Sequence, residues 1–501
     1  MSALFHLNRS HQSSTLQQQI RAQLIDAILG NYFPKDKPLP SSRSLAKSLK
    51  VARNTIVLVY EELTADGYLY AKQRRGYFID PNFNPTNQTD PLPYQNTHNK
   101  SRNYPQKENK VNWQNKLKLQ IDPPTDHQLS ENWQQYRYPF LYAQLDPKLF
   151  PRDNWRNCWR DAASIKAVKQ WSADSFDSDD PLLIEQIKKR ILPNRGIQAQ
   201  DDEILLTIGS QQAIYLLAQL LIEKNTHFGI EQPGYISAAQ TASLFKASII
   251  PLEVDQEGLC INKQLSNCDL VYTTPSYQCP STVTMPLSRR QALLNQADSS
   301  DFLIIEDDYE MEINYGSSPL PALKSLDNQD RVIYIGSLSK TLAPGLRIGF
   351  MVGPSQLIAQ AKHLRQLMVR HPPLNNQRAV ALFLNQGYHD ALLRRLAITF
   401  KERRNIITDC MKTYLPKLTF QCSQGSSIWI KLPNGYCAQT LKHNCKEQGV
   451  LLHIGEQYFL DKQDDNNFIK LGFSAIESHL IEEGIELISI QLEKQAQKSP
   501  R

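Results

Sequence analysis

The segment from residue 334 to residue 350, YIGSLSKTLAPGLRIGF, places a lysine directly after an apolar run and an arginine seven residues later. Lys340 follows Ser337 and Ser339, and Arg347 lies in a turn bracketed by glycines. An ammonium group at the end of a buried strand must be paired or lose its proton, and an unprotonated lysine amine attacks aldehydes. The spacing therefore predicts covalent chemistry between Lys340 and an aldehyde.

Pyridoxal phosphate is an aldehyde cofactor that needs an acid for its pyridine nitrogen, a cup for its phosphate and contacts for its ring. In IIEDDYE, Asp307 is the candidate acid and Tyr309 the candidate partner of the ring oxygen. In LLTIGSQQAIYLL a strand meets a helix at Gly209, which gives the phosphate the backbone amides of Ser210 and Gln211. The remaining candidates for the same cofactor are Ser337, Ser339 and Arg347 at the phosphate and Tyr235 of EQPGYISA on the ring.

Each of these motifs has a plainer interpretation when it stands alone. A Gly-Ser-Gln at a helix start is usually a cap, and EDDY is usually a solvated strand end. The pattern SxSK followed by GxRxG is rarer. Its occurrence with the other motifs, each at the end of a different apolar run, favours a cofactor site.

The elements that must position these residues follow from the apolar runs EILLTIG, HFGIEQPGY, CDLVYTTPSY, DFLIIEDDY and RVIYIGSLSK. Each run is typical of a buried strand that ends in polar or small residues, and helical segments separate the runs. Continuous apolar strands between helices predict an α/β fold with a mostly parallel sheet covered on both faces. Ligands bind such sheets at the carboxyl ends of the strands, where the candidate residues stand.

Residues 1–80 predict a small domain of a different kind. Apolar residues at helical spacing predict a first helix, LPSSRSLAKSLKV starts a second, and a third begins near Arg53 and ends at Gly67. The segment YLYAKQRRGYFI predicts two short strands around a basic turn. Together these elements predict a winged helix-turn-helix.

The predicted third helix presents Arg53, Asn54 and Thr55 at its N-terminal end, where a recognition helix meets base edges. Arginine and asparagine make paired hydrogen bonds to guanine and adenine. Arg43 and the wing residues Arg74 and Arg75 are candidates for phosphate or minor-groove contacts, although the wing pair is also compatible with a solvated turn. Residues 1–80 hold 11 Lys and Arg against 6 Asp and Glu, and this basic excess favours a polyanion partner.

Residues 81–135 separate the two predicted domains. They contain seven of the 29 prolines among many polar residues, which predicts a flexible linker that would span on the order of 40 Å as a random coil. The larger domain is then expected to occupy residues 136–501.

Eight scattered cysteines without a CxxC pair predict neither a disulfide scaffold nor a metal site. No apolar run reaches the roughly 18 to 20 residues of a membrane span, and the first residues lack the apolar stretch of a signal peptide. We therefore expect no membrane partner and a cytoplasmic location.

Residues 15–80 resemble the GntR-type winged helix through the motifs LPSSR, RNT and RRGYF. This resemblance implies binding to double-stranded DNA at a promoter or operator. It carries DNA-contact roles onto Arg43, Arg53, Thr55 and the wing up to Gly76.

Residues from about 136 to 492 resemble fold-type I, class I/II aminotransferases, and the joined chain is similar to the MocR/GabR family of regulators. That family implies a head-to-tail homodimer that senses a small amino compound through pyridoxal 5'-phosphate and alters DNA binding. The carried-over roles are Lys340 as the lysine that forms the aldimine, Asp307 and Tyr309 at the ring, Arg347, Ser337 and Ser210 at the phosphate, and Tyr235 as the stacking residue.

The sequence departs from the aminotransferase pattern at three positions. Lys470 in FIKLGFS stands where many aminotransferases place an arginine that grips the substrate carboxylate, and lysine lacks the bidentate fork. Thr282 in CPSTV stands where glycine is usual, and Phe176 replaces a tyrosine that often reaches the neighbouring subunit's phosphate. Arg370 is a candidate substitute for the missing arginine, so Arg370 and Lys470 are the predicted effector-binding residues.

These features favour a regulator in which the effector's amine displaces Lys340 to form an external aldimine. The alternative is a working aminotransferase with an accessory DNA-binding domain. A third interpretation, a DNA-binding protein with an empty second domain, is disfavoured because suitable residues fill all the cofactor positions.

Overall fold

The computed structural model describes residues 5–9, 14–34, 36–81, 111–119, 121, 132–142, 144–173, 179–310, 312, 320–421, 425–461 and 467–498. The chain divides into two compact units, residues 1–119 and residues 120–501. Among the helices in the described ranges, none has a stretch long and apolar enough to cross a membrane. Most of the predicted linker lies outside the described residues, so its boundaries stay a prediction.

The first unit has the predicted winged helix-turn-helix. Its elements are α1 Leu16–Leu29, α2 Ser42–Leu49, α3 Arg53–Ala65, β1 Leu69–Lys72 and β2 Gly76–Ile79, with the two strands antiparallel. Thr15 and Gln18 form a capping box that starts α1, and the side chain of Ser41 caps α2. The chain leaves α3 through Gly67, whose φ of 78° lies in the left-handed region that ends many helices.

The second unit contains the remaining helices and strands. The helices are α4 Arg152–Ala162, α5 Ile165–Trp171, α6 Pro181–Gln186, α7 Ser210–Leu221, α8 Ile236–Leu244, α9 Leu287–Ser300, α10 Leu323–Leu326, α11 Ser355–Val369, α12 Leu374–Asn385, α13 Tyr388–Tyr414, α14 Ala438–Glu447 and α15 Ile481–Lys498. The strands are β3 Tyr138–Pro139, β4 Ile204–Thr207, β5 His227–Gln232, β6 Ser248–Asp255, β7 Gly258–Leu259, β8 Leu270–Thr273, β9 Leu303–Asp308, β10 Val332–Ser337, β11 Gly349–Val352, β12 Phe420–Gln421, β13 Ser427–Lys431, β14 Val450–Leu451, β15 His453–Ile454 and β16 Phe468–Gly472.

Within the described residues, the main sheet has eight strands in the order β4-β11-β10-β9-β8-β5-β6-β7. The run β10-β9-β8-β5-β6 is parallel, and β11 and β7 are antiparallel to their neighbours. The five apolar runs became β4, β5, β8, β9 and β10, which confirms the predicted mostly parallel sheet. The sequence did not predict β11, a four-residue strand that returns between β4 and β10.

Helices cover both faces of this sheet because successive strand residues point to opposite sides. On one face Ile333 and Ile335 of β10 pack with α7, α8 and α11. On the other face Val332 joins the core under α9, and Tyr334 joins the core that includes α12 and α13. In sheets covered on both faces in this way, ligands bind at the carboxyl ends of the parallel strands.

A second sheet, of four antiparallel strands in the described residues, has the order β12-β13-β16-β15. Trp429 of β13 and His453 of β15 are the direct partners of Lys470 on β16. Direct partners share one face of a sheet, so the three side chains form a row.

The turn that follows β10 is fixed from outside the sheet by a buried acidic residue. The Thr341 hydroxyl donates to Oε2 of Glu312 at 2.7 Å, and Nε2 of His389 lies 3.2 Å from the same oxygen. Burial is the largest influence on the pKa of His389 and lowers it, but the charge and hydrogen bonding of Glu312 together with the charge of Asp390 exceed it, against Arg190, so the pKa is raised. Glu312 thus joins His389 to Thr341, the residue after Lys340.

His389→Gln should change how the stability of the larger unit depends on pH. The pKa of His389 is raised on folding, so its stabilisation is complete below the unfolded value of 6.5 and is lost as pH rises through the folded value. We expect this decline, at most about 1.4 kcal/mol per pH unit, in the wild type and not in the variant. Urea unfolding at a series of pH values measures it.

The matched control is His443→Gln, since His443 lies exposed on α14 beside Glu447. This variant should keep the wild-type pH slope. Equal slopes in all three proteins would show that Glu312 does not hold His389 charged.

Candidate functional site

Two adjacent aspartates at the end of β9 have different surroundings because they point to opposite faces of the sheet. Asp308 is buried and pairs with Arg195, with 2.7 Å between Oδ2 and Nε. Asp307 accepts a hydrogen bond from the Tyr272 hydroxyl at 2.7 Å on Oδ2, while its Oδ1 is buried without a hydrogen-bond partner among the described residues. Burial raises the pKa of Asp307 to about 7. Asp307 therefore presents a buried oxygen that lacks a donor.

The turn from β4 into α7, which we call the anion corner, has the composition that the predicted phosphate site requires. Gly209 precedes the helix with a φ of 73°, and no side chain caps the first turn. Nη2 of Arg347 donates to the Ile208 carbonyl at 3.0 Å, and a Cβ added at Gly209 would lie 2.6 Å from that nitrogen. A Cβ at Gly349 would likewise lie 3.1 Å from the Ser210 amide nitrogen. Gly209 thus lets the guanidinium approach the uncapped start of α7, and Gly349 lets β11 approach the Ser210 amide. An arginine beside a helix N-terminus is an arrangement that suits a phosphate.

The side chain of Gln211, at the start of α7, fixes the position of Tyr235. The Tyr235 hydroxyl donates to Oε1 of Gln211 at 3.0 Å, and Nε2 of Gln211 donates to Thr241 at 2.9 Å. The rings of Tyr235 and Tyr272 are 6.4 Å apart with an interplanar angle of 31°. Because Tyr272 also binds Asp307, the structure connects the predicted stacking residue to the predicted acid.

Lys340 lies three residues beyond the end of β10, half-buried, with Nζ 5.1 Å from the centre of the Tyr142 ring. The two predicted serines support its turn: the Ser339 amide donates to the Ser337 hydroxyl at 3.3 Å, and the Ser339 hydroxyl donates to the Ile348 carbonyl at 3.5 Å. The sequence did not identify Tyr142, which precedes the large sheet by some sixty residues.

Tyr309 lies at the same edge, directly after β9. Its hydroxyl donates to the Tyr277 carbonyl at 2.8 Å, and its ring meets Tyr142 edge-on at 6.2 Å. The structure therefore brings Tyr309 beside the ring that faces Lys340. Its predicted bond to a cofactor oxygen stays a prediction.

Lys470 is fully buried on β16 and faces aromatic rings. Its Nζ lies 3.6 Å from the centre of the Tyr142 ring and 5.4 Å from that of Tyr458. Burial, and then the positive charge of Lys470, lower the pKa of His453 to about 3, so this imidazole is neutral. The amines of two lysines, Lys340 and Lys470, thus lie near the same Tyr142 ring, in what we call the aromatic chamber.

Glu310 is a further residue of this chamber that the sequence analysis missed. Its Oε1 accepts a hydrogen bond from the Ser426 hydroxyl at 2.7 Å, and a Cβ at Gly425 would lie 2.7 Å from Oε2. Burial raises the pKa of Glu310, and the charges of Lys470 and Lys340 act in the opposite direction. The signal available in the sequence was a carboxylate within three residues of Asp307, the candidate acid.

The departures from the aminotransferase pattern have different outcomes. Thr282 is buried with a φ of 65°, in the region where glycine carries no steric cost, which explains why glycine is usual there. Phe176 lies outside the described residues. Arg370 lies exposed at the end of α11 with a φ of 60°, and its effector-binding role stays a prediction.

The predicted DNA-contact residues lie on the surface of the first unit. Arg53 and Asn54 begin α3 and are exposed, and Thr55 is half-buried beside them. The other predicted contacts, Arg43 on α2 and Arg74, Arg75 and Gly76 in the wing, are exposed as well. The wing is stiffened where Nζ of Lys72 lies over the rings of Tyr70 and Phe78, at 5.3 and 4.9 Å.

Both units match known families. Residues 152–486 match the family Aminotransferase class I and II, and residues 16–79 match Bacterial regulatory proteins, gntR family. Among solved structures, an archaeal alanine:glyoxylate aminotransferase has 26% sequence identity and a TM-score of 0.66, covering 71% of this chain and 91% of its own.

Two relatives match nearly the full length. The HTH-type transcriptional regulator TauR of Rhodobacter capsulatus is 36% identical over 476 residues, covering 95% of this chain and 96% of TauR. The probable rhizopine catabolism regulatory protein MocR of Rhizobium meliloti is 27% identical over 478 residues, covering 94% and 92%. The chain therefore belongs to the MocR-type transcriptional regulators, in which a GntR-type DNA-binding domain is joined to a domain of aminotransferase class I and II.

Proposed function

We propose that this regulator holds pyridoxal 5'-phosphate in its larger unit, detects an amino compound there, and changes its binding to double-stranded DNA in response. The observation that carries the proposal is the position of Lys340, Asp307 and Arg347 at one edge of a parallel sheet, in a chain that also has a winged helix. The aminotransferase class I and II family is in general dependent on this cofactor. A regulator of DNA acts where the chromosome is, so we infer a cytoplasmic location.

The residues at this edge fit the cofactor in three respects. Oδ1 of Asp307 lacks a donor among the described residues and suits a protonated pyridine nitrogen. Arg347 and the amides of Ser210 and Gln211 suit a phosphate. Lys340 supplies the amine, with Ser337 and Ser339 supporting its turn.

When bound, the cofactor supplies an aldehyde carbon that condenses with amines. Lys340 provides the resident amine, and the effector's amine competes with it for the same carbon. Tyr235, fixed by Gln211, would contact the cofactor ring, and Tyr142 is the ring that lies near Lys340. These aromatic side chains exclude water from the exchange.

We propose that Lys470 attracts an anionic group of the effector. Its buried ammonium lies against Tyr142, the ring that Nζ of Lys340 also approaches. A lysine is a point charge, so it favours an anion without requiring the planar fork that an arginine would match. Arg370 remains the second proposed effector contact.

We also propose a head-to-tail homodimer. Three consecutive apolar residues at the end of α11, Leu367, Met368 and Val369, are exposed, with Leu367 at 87%. Such a patch marks an interaction surface. The effector then alters DNA affinity only as far as it binds two arrangements of the dimer differently.

The visible absorption of the protein tests the function. The wild type loaded with pyridoxal phosphate should show a band that a particular amine shifts to a stable new position, and the same amine should change DNA affinity. Lys340→Ala should lack the covalently bound cofactor after borohydride reduction and lack the response to the amine. Lys324→Ala, which removes another lysine of the same unit, should behave as wild type.

Transamination would give a different spectrum. If the amine bleached the band and a keto acid restored it through repeated cycles, the protein would be a working aminotransferase with an accessory DNA-binding domain. If the wild-type protein gave no band with pyridoxal phosphate, the cofactor site would be wrong.

The variant Asp307→Asn tests whether the carboxylate of Asp307 binds the cofactor or stabilises the fold. We expect affinity for pyridoxal phosphate to fall by at least about tenfold, because a charged acceptor of the pyridine nitrogen is lost. Stability of the cofactor-free protein should not fall, since the substitution removes a buried carboxylate. The adjacent control, Asp308→Asn, should cost on the order of 3 kcal/mol because Arg195 loses its buried partner.

The same substitution should also remove a pH dependence. The pKa of Asp307 rises from 3.8 to about 7 on folding, so the cofactor-free wild type should lose stability as pH rises through this window. The stability of the Asp307→Asn variant should fall less over the same pH range. Identical unfolding profiles across this window would contradict an uncompensated carboxylate at residue 307.

Arg53→Ala should weaken binding to a selected operator by about 1 to 3 kcal/mol and relax preference at one base position. Arg74→Ala, a wing substitution, should weaken binding to all duplexes alike if it contacts phosphate. Binding measured against duplexes with single base changes distinguishes the two. A uniform loss for Arg53→Ala would make Arg53 a phosphate contact as well.

A further inference from the structure

The segment of residues 5–9 precedes the winged helix and lies outside its family match, which starts at residue 16. This segment, the N-terminal arm, packs back onto the first unit. Phe5 is buried at 6% exposure in the same apolar core as Ile20 and Leu24 of α1. The arm is therefore a fixed part of the unit.

Two glutamines of α1 hold the arm by its backbone. The His6 amide donates to Oε1 of Gln23 and Nε2 of Gln23 donates back to the His6 carbonyl, both at 2.8 Å. Gln19 pairs with Asn8 in the same way, at 2.8 and 2.9 Å. Four residues of helix rise about 6 Å and two extended residues rise about 6.6 Å, so the two spacings match.

The arm ends with Arg9 at the turn between α2 and α3. Nη2 of Arg9 donates to the carbonyls of Leu49 and Lys50, at 3.3 and 3.0 Å. Leu49 is the last residue of α2, and Lys50 is its left-handed C-cap. Arg53 begins α3 three residues after Lys50. Arg9 is exposed, and both of these bonds start from the same nitrogen of its guanidinium.

Arg9 extends a row of positive charge along α2. Arg43 and Lys47 are exposed and spaced i, i+4, which places them on one side of α2, and Lys50 is exposed at its C-cap. In a helix-turn-helix the first helix of the pair crosses the DNA backbone while the second enters the groove. Arg21 on α1 is a cation with acidic partners within the unit, because it forms ion pairs with Glu62 of α3 and with Asp66, the C-cap of α3.

We propose that the N-terminal arm belongs to the DNA-binding surface and that Arg9 contacts a backbone phosphate beside the α2–α3 turn. The proposal rests on DNA binding by the winged helix and adds a contact outside it. Its rival is that Arg9 serves only to cap the C-terminal carbonyls of α2, a role that needs no DNA.

The salt dependence of DNA binding separates these roles. Full-length protein and its Arg9→Gln variant are titrated with a fluorescein-labelled duplex of mixed sequence at several salt concentrations. Loss of one phosphate contact should reduce the slope of log K against log salt by about 0.9 and weaken binding several-fold at low salt. An unchanged slope with a lowered melting temperature would overturn the proposal and leave Arg9 as a cap.

Three further variants control this measurement. Arg9→Lys keeps the charge, so it should keep most of the slope. Arg21→Gln should lower stability through its lost ion pairs and leave the slope unchanged. The double variant Gln19→Ala, Gln23→Ala frees the arm and should lower the slope as Arg9→Gln does; a wild-type slope here would overturn the role of the arm. A wild-type protein that bound no duplex would overturn DNA binding itself, a failure distinct from that of the arm.

Discussion

A buried carboxylate with one oxygen left without a donor is the constraint on which the larger unit depends. Oδ1 lacks a donor among the described residues in both Asp307 and Asp308. Asp308, however, forms an ion pair with Arg195 and accepts from Tyr334, whereas Asp307 accepts only from Tyr272 and has no ion-pair partner in the described structure. Such a group costs stability in the unliganded protein. Proteins break local rules of this kind at functional sites and compensate elsewhere, here through a closely packed parallel sheet. The absence of a charged partner at Asp307, rather than the single oxygen, is what distinguishes it from Asp308 and suits the proposed cofactor nitrogen.

The position of the site was predictable because it follows from a general rule about parallel sheets. Lys340, Asp307 and Ser210 each stand at the end of an apolar run, and strand ends of one direction meet at one edge. The sequence could not predict β11 or the contacts of Tyr142, since these depend on pairings between distant segments. Glu310 and the support of Thr341 by Glu312 and His389 were missed for the same reason.

Close backbone approach explains why the anion corner is built from glycines. Arg347 reaches the start of α7 only because Gly209 has no side chain, and β11 lies against the same turn only because Gly349 has none. A left-handed φ at Gly209 turns the strand into the helix without steric cost. The corner is therefore set by the packing of β4 against β11 before any ligand binds, which lowers the ordering cost of binding.

Lys470, at a position where many aminotransferases have an arginine, suits a sensor better than a catalyst. A catalytic site must hold reacting atoms in a narrow range of positions, and a bidentate arginine restricts a carboxylate in both distance and orientation. The buried ammonium of Lys470, against the Tyr142 ring, attracts an anion but fixes its orientation less. A sensor needs only a difference in affinity between two arrangements of the protein. If the proposed contact between Lys470 and the effector holds, a residue that would slow an enzyme is therefore sufficient for a sensor.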